Sequence, residues 1–322
     1  MTYSTRLGTM TDQDEIPITL TMKTSGLPIL VLLVSHALAA DGQREACAAD
    51  GRQVETASHE PVEPEEPGWQ TYFRRVAAEY TITIGGTQTR PAMLRQQPIM
   101  KWSQPVRGGD DGAVFLWLDG PRPAAIGAIF IWPDALRGKG LTHEFQSLSE
   151  RPLKAVWKQR TWTPPENSVR WKPMLHAAAP AASPRQRDLE VRRLAARFTA
   201  FSKSREGQTW QLRLLPQPVY RYEADQAPAL GSGALFGFVE GTDLETVLLL
   251  ETRAASAGLR WHFACARMSD YGLAVQCDGK TVWEVDSAQV DDFDGAYCGS
   301  IVEYLHEPPA VQTPLCPAGG GG

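Results

Sequence analysis

An internal repeat is the feature of this sequence that most restricts its possible folds. Pairs of similar segments occur in the same order in the two parts of the chain, 118 to 121 positions apart: residues 73–81 and 191–199, 97–102 and 217–222, 112–120 and 233–241, and 161–162 and 282–283. Chance matches do not keep both order and spacing, so the pattern predicts one structural unit written twice. The alternative is that unrelated amphipathic elements repeat by propensity alone.

Each predicted unit opens with an amphipathic helix. The apolar positions at helical spacing are Trp69, Phe73, Val76, Ala77 and Tyr80 in the first unit, and Leu194, Ala195, Phe198 and Phe201 in the second. Pro184 near the start of the second helix suits a first helical turn. A helix in this position would cover one apolar face of a sheet.

Strand-like runs follow each helix. They lie at residues 113–118, 126–132, 143–149 and 153–157, and at residues 211–223, 234–239, 246–253, 259–268, 273–277 and 280–285. Asp278-Gly279 predicts a two-residue hairpin turn, because both central residues of that turn need positive φ. The predicted fold class is α+β: a tandem duplication of a helix plus a twisted antiparallel β-meander, with two pseudo-symmetric halves and a groove between them.

The remaining segments divide the chain further. Residues 22–40 have the order of a Sec-type secretory signal peptide, with Met22-Lys23, an apolar run at 27–34 and cleavage at Ala39–Ala40. The predicted divisions are residues 1–21 before the true start, the signal 22–40, a disordered acidic Pro-rich linker 41–68, repeat one 69–164, a Pro/Ala-rich linker 165–186, repeat two 187–306, and a disordered tail 307–322.

Composition and charge limit the environment and partners of the chain. With 43% hydrophobic and 21% charged residues, the chain has ordinary globular composition. Its net charge of −5 and lack of a basic stripe exclude an electrostatic case for nucleic-acid binding. The apolar run of the signal is too short for a permanent anchor. We therefore expect an extracytoplasmic protein, periplasmic or secreted, without a membrane span after signal removal.

Several runs are similar to a family of secreted planctomycete-type bacterial proteins that has no known activity. They are residues 101–108, 112–117, 143–149, 212–223 and 233–243, and they cover most of residues 102–285. The resemblance implies export and a shared fold. It implies no activity, cofactor or catalytic residue.

His143 and Glu144 form the most enzyme-like pair, since a histidine can act as a base that a carboxylate orients. Neighbours on a strand point to opposite faces, so the two side chains should not converge unaided. His262 lies in a similar place in the second unit, which favours a structural role for both histidines. Ser147 and Ser149 lack the G-x-S-x-G context of a nucleophile.

Metal and cofactor signals are weak. Asp110 and Asp111 precede a glycine and are the weak metal candidates, although a turn explains them better. Residues 291–295 are rich in aspartate but do not fit the register of an EF-hand loop. The chain has no G-x-G-x-x-G or Walker motif, so no cofactor is predicted.

Five cysteines follow the signal. Cys265 and Cys277 are predicted to lie on adjacent strands with equal parity, where they could form a disulfide. Cys298 could pair with Cys316, which would leave Cys47 over. The alternative for Cys265 is a buried, unpaired thiol.

Two functions are compatible with these observations. The first is a non-catalytic module that binds an extracytoplasmic protein or an envelope component. The alternative is an extracytoplasmic hydrolase-like enzyme with a site near His143. An enzyme should gather polar residues that occur in only one unit into a concave site.

Overall fold

A computed structural model describes residues 68–308, except for 105–109, 135, 224–229, 257 and 307. All of these residues belong to one structural unit, Glu63–Gly322. The predicted signal peptide with its cleavage site at Ala39–Ala40, the acidic linker, Cys47 and Cys316 lie outside them. Within the described part of the chain, no helix is both long and apolar enough to cross a membrane.

Two helices each precede a set of strands. Helix α1 spans Gly68–Glu79, and α2 spans Pro184–Ala195 with its proline in the first turn, where a missing N–H leaves no hydrogen bond unmade. Both helices were predicted. The predicted extension of the second helical face to Phe198 and Phe201 is wrong, because the chain turns into a strand after residue 197.

The strands of the first set follow α1 and are β1 Thr81–Ile84, β2 Arg90–Pro91, β3 Met93–Leu94, β4 Met100–Gln104, β5 Asp110–Asp119, β6 Arg122–Asp134, β7 Gly138–Ser147, β8 Leu153–Trp157 and β9 Arg160–Trp162. Strand β10 is Lys172–Pro173. The second set follows α2 and comprises β11 Phe198–Lys203, β12 Thr209–Leu214, β13 Tyr220–Tyr222, β14 Leu230–Glu240, β15 Asp243–Ala255, β16 Gly258–Arg267, β17 Gly272–Cys277 and β18 Lys280–Val285. Strand β19 is Tyr297–Leu305. We call α1 to β9 the N-terminal half and α2 to β18 the C-terminal half.

All strand pairs are antiparallel, and their order is the same in the two halves. In the N-terminal half, β5 pairs with β3, β4 and β6, β6 pairs with β7, and the small sheet runs β2-β1-β8-β9. In the C-terminal half, β14 pairs with β12, β13 and β15, β15 pairs with β16, and β12 continues the sheet into β11-β17-β18. The predicted α+β class with antiparallel sheets is confirmed.

Two further strands cross between the halves. Strand β10, which follows the N-terminal half, pairs with β16 of the C-terminal half at Phe263 and His262. Strand β19, which follows the C-terminal half, pairs with β7 along its whole length. The Pro/Ala-rich segment 165–186 is therefore more than a linker, because it contributes strand β10 to a sheet. Its Val169 and Met174 are buried.

Each half curls until its edge strands approach one another. In the C-terminal half, Nζ of Lys172 on β10 donates to the carbonyl oxygen of Val282 on β18 at 2.5 Å. In the N-terminal half, Nη1 of Arg160 on β9 donates to Oγ of Ser300 on β19 at 3.0 Å. Both halves thus come close to a closed barrel.

Three clusters of buried apolar side chains stabilise the two halves and their contact. One lies inside the N-terminal half under α1, and one lies inside the C-terminal half. The third joins the outer faces of the two large sheets, with Leu116 and Ile126 on one side and Val247 and Leu249 on the other. The predicted groove between the halves is wrong, because this third cluster fills the space. Both faces of β15 are covered, as its run of three leucines predicts.

Candidate functional site

The structure places His143 inside the N-terminal half. Its Nδ1 lies 2.7 Å from the hydroxyl of Tyr80, and its side chain is almost fully buried. Among the described residues, Nε2 has no hydrogen-bond partner. His143, Cys298 and Ser300 line a cavity of about 30 Å³. A cavity of that size holds about one water molecule.

The environment of His143 disfavours the charged forms of His143, Cys298 and Tyr80. Burial, with the positive charges of Arg160 and Lys158, lowers the pKa of His143 to about 3. Burial also raises the pKa of the Cys298 thiol to about 12 and the pKa of the Tyr80 hydroxyl further still. The site therefore supplies neither a protonated histidine nor a thiolate near neutral pH.

Glu144 lies on the other face of β7. Its Oε1 accepts a hydrogen bond from the Tyr297 hydroxyl at 2.9 Å. Burial and the negative charge of Asp243 raise the pKa of the Glu144 carboxyl, although the Tyr297 bond lowers it. His143 and Glu144 thus point to opposite faces, as strand geometry predicts, and the structure does not bring them together.

His262 is not the counterpart of His143. Backbone bonds align the two halves: Leu148 N–H donates to Ala124, and Met268 N–H donates to Glu245. This alignment places Phe263 opposite the position of His143. Phe263 packs edge-to-face on Phe198 at 5.1 Å, where the N-terminal half has the Tyr80–His143 pair.

His262 instead points outward, with Nδ1 3.2 Å from the carbonyl oxygen of Arg260. The prediction that the two histidines share a structural role is therefore wrong. The error is a shift of one residue: the sequence comparison placed His262 opposite His143, whereas the backbone bonds place Phe263 there. The polar Tyr80–His143 pair is a feature of one half alone.

The predicted cysteine and metal sites also differ from the structure. Cys265 lies on β16 and Cys277 on β17, which are not neighbours, and both thiols are free, as is Cys298. Asp110 and Asp111 begin strand β5 and pair with Gln104 and Ser103, so they form neither a turn nor a loop. Within the described residues, no group of three or more His, Cys, Asp or Glu side chains could hold a metal ion.

A second cavity marks an incomplete sheet edge in the C-terminal half. It has a volume of about 270 Å³ and is lined by Cys265, Ala266 and Arg267 of β16 and by Trp283 and Val285 of β18. Strand β10 covers β16 only at Phe263 and His262, so the edge beyond them has no strand beside it in the described chain. We call this edge of residues 265–267, with its cavity, the seam.

The register of β16 shows which backbone groups face the seam. Met174 N–H donates to Trp261, so the backbone groups of Trp261 point away from β15. In an antiparallel pair this direction repeats at every second residue. The N–H and C=O groups of Cys265 and Arg267 therefore point into the seam, and no described residue pairs with them.

The corresponding edge in the N-terminal half is complete. Phe145 on β7 pairs with Cys298 on β19. Ser147 N–H donates to the carbonyl oxygen of Ala296 at 2.9 Å. The two halves thus differ at this edge: a strand lies beside β7, and no described strand lies beside the seam.

A wider depression of about 680 Å³ lies on the outer face of β11, β17 and β18. Its charged lining mixes signs, with Lys203 and Arg205 beside Glu284 and Asp286. Its floor is formed mainly by β11 and β17, which are paired on both edges, so the depression offers mostly side chains to a ligand. The seam is the more specific candidate for a binding site.

Comparison with known protein families, with curated proteins and with solved structures finds no match for this chain. The resemblance to secreted planctomycete-type proteins stays a prediction.

Proposed function

We propose that this chain is an exported, non-catalytic binding module whose ligand site is the seam. One observation carries the proposal: the backbone groups of Cys265 and Arg267 face a cavity without partners, although their counterparts in the other half are paired. A row of N–H and C=O groups without a neighbouring strand is a template for pairing with another chain, so this open edge favours a bound partner. The hydrolase-like alternative has no comparable support, because His143 is enclosed and Glu144 points away from it.

The same proposal includes an origin of the two halves by tandem duplication around a pseudo-two-fold axis. The repeat in the sequence supports it, and so do turn residues of positive φ that recur about 120 positions apart, at Gly120 and Gly241, at Gly138 and Gly258, and at Lys158 and Asp278. Gly112 and Gly233 also match: an added Cβ would lie 2.1 Å from the Trp102 ring and 2.2 Å from the Tyr222 ring.

Export is tested by the mature N-terminus. When translation starts at Met22, we expect cleavage between Ala39 and Ala40 and recovery of the product outside the cytoplasm. Mass spectrometry of the intact protein and of its N-terminal peptide measures this. An Ala37→Leu, Ala39→Leu variant should remain uncleaved. Recovery of the wild type uncleaved in the cytoplasm would contradict export.

Binding at the seam is tested by amide hydrogen exchange. In the presence of extracytoplasmic material from cells that make the protein, the amides of Cys265 and Arg267 should exchange at least tenfold more slowly, since pairing protects them. Mass spectrometry with peptide-level resolution measures the change.

A matched pair of variants locates the effect. Ala288 lines the seam, so Ala288→Trp should fill it and abolish the added protection. Ala179 is exposed elsewhere, and Ala179→Trp should behave as wild type. If both variants showed the same amide protection, the assignment of the binding site to the seam would be wrong.

A further inference from the structure

We infer that the seam receives an extended, uncharged polypeptide segment that pairs antiparallel with β16 and places a small side chain opposite Cys265. This inference rests on the proposed function and names the class of ligand. It follows from the backbone groups, the depth of the cavity and the charge around it.

The backbone groups select an extended chain. Cys265 and Arg267 present two N–H and C=O sets, separated by one residue, along one straight edge. An antiparallel strand offers matching groups at every second residue, and addition of a strand to an open edge is a common mode of peptide recognition. The other half shows this arrangement in place, with Cys298 opposite Phe145 and the carbonyl oxygen of Ala296 accepting from Ser147 N–H.

The depth of the cavity selects small side chains. Cys265 points into the core of the C-terminal half, where Trp283 also packs. A residue of the ligand opposite Cys265 would point the same way, into space that these two side chains bound. In the N-terminal half the residues beside Phe145 and Ser147 are Cys298 and Ala296, both small.

The charges around the seam favour a neutral ligand. The guanidinium of Arg267 donates to the carbonyl oxygens of Ser269, Tyr271 and Asp286 at 3.1, 2.5 and 2.8 Å. It also lies over the Tyr297 ring at 5.4 Å. These bonds engage Nε and Nη2 and hold the guanidinium against the protein. The other charged residue that lines the seam among the described residues is Asp292, of opposite sign, so the lining has no net charge.

The probe is a blocked tetrapeptide with the sequence of residues 296–299, which lie beside the part of β7 that corresponds to the seam, with Cys298→Ser to remove the thiol. It stops short of the positions opposite Phe263 and His262, which β10 already occupies. It is titrated into the full chain, and amide chemical shifts of Cys265 and Arg267 report binding. Two N-methylated forms test the pairing. In β19 the N–H at position 298 faces β7, whereas the N–H at position 299 faces away.

We expect the peptide methylated at the position of Cys298 to bind at least tenfold more weakly than the one methylated at Gly299, since only the first loses a backbone hydrogen bond and clashes with β16. A tryptophan at the position of Cys298 should also abolish binding. Equal affinities of the two methylated peptides, or shifts away from residues 265–267, would overturn the inference.

The result separates this inference from the proposed function. If amide exchange at Cys265 and Arg267 slows with extracytoplasmic material but the methylated peptides do not differ, the seam binds a ligand that is not a strand, and the inference fails alone. If neither experiment affects these amides, both the inference and the proposed site fail.

Discussion

Replacing Glu251 by alanine is expected to lower the free energy of unfolding by about 3–5 kcal/mol, because it removes the buried carboxylate that two arginines and a tyrosine hydroxyl share. Glu251 is 1% exposed and accepts hydrogen bonds from Arg122 and Arg253, each at 2.9 Å, and from the Tyr222 hydroxyl at 2.5 Å. Arg122 comes from the N-terminal half and the other two from the C-terminal half. The carboxylate therefore links the two halves. Chemical denaturation of wild type and variant measures the change in the free energy of unfolding.

Glu150 provides the control for this variant. It bonds the same two arginines but is 33% exposed, so water can replace it in part. We expect Glu150→Ala to cost about 1 kcal/mol. Both guanidinium groups also lie over the ring of Trp171, which ties the crossing segment to the network. A loss below about 1 kcal/mol for Glu251→Ala would show that the network adds little.

The second large effect is acid sensitivity caused by His143. A double variant, Tyr80→Phe with His143→Phe, reproduces the Phe198–Phe263 pair of the other half. The wild type should lose about 3 kcal/mol more stability than this variant between pH 7 and pH 4. Denaturation at a series of pH values measures the difference.

The sign follows from the two states of His143. Its pKa is about 3 in the folded chain, against an ordinary value of 6.5. Between these values the unfolded chain binds the proton and the folded chain does not, so stability is complete above about pH 6.5 and falls as the pH falls. Tyr80→Phe alone should keep this slope while costing about 1–3 kcal/mol at every pH, because it leaves Nδ1 unpaired. Identical slopes for wild type and double variant would contradict the assignment.

Local patterns in the sequence predicted most individual elements. Strand β18 has the predicted bounds, since the Asp278-Gly279 turn fixes where it begins, and both residues have positive φ. The helices and the long hairpins were found from periodicity for the same reason: their signals lie within a few neighbouring residues. Glu144 and His143 were separated correctly by the two-residue period of a strand.

Features that depend on distant pairing were missed. Residues 172–173 carry too few apolar residues to mark a strand, and their role depends on β16, far along the chain. The predicted Cys265–Cys277 disulfide failed because consecutive strands were taken as neighbours, whereas β17 lies between β11 and β18. The seam has no local signal either. It follows from the difference in length between β10 and β19, which can be recognised only once both are paired.

The crossing of β10 and β19 sets an order of assembly. Strand β7 is synthesised well before β19, and its edge stays open until the last strand of the described chain arrives. Until then the chain presents an open strand edge of the kind that can pair with other chains. In the finished molecule the crossing has the opposite effect. Strand β10 completes the edge of the C-terminal half and β19 completes the edge of the N-terminal half. Neither half can therefore unfold while the strand pairs of the other stay intact.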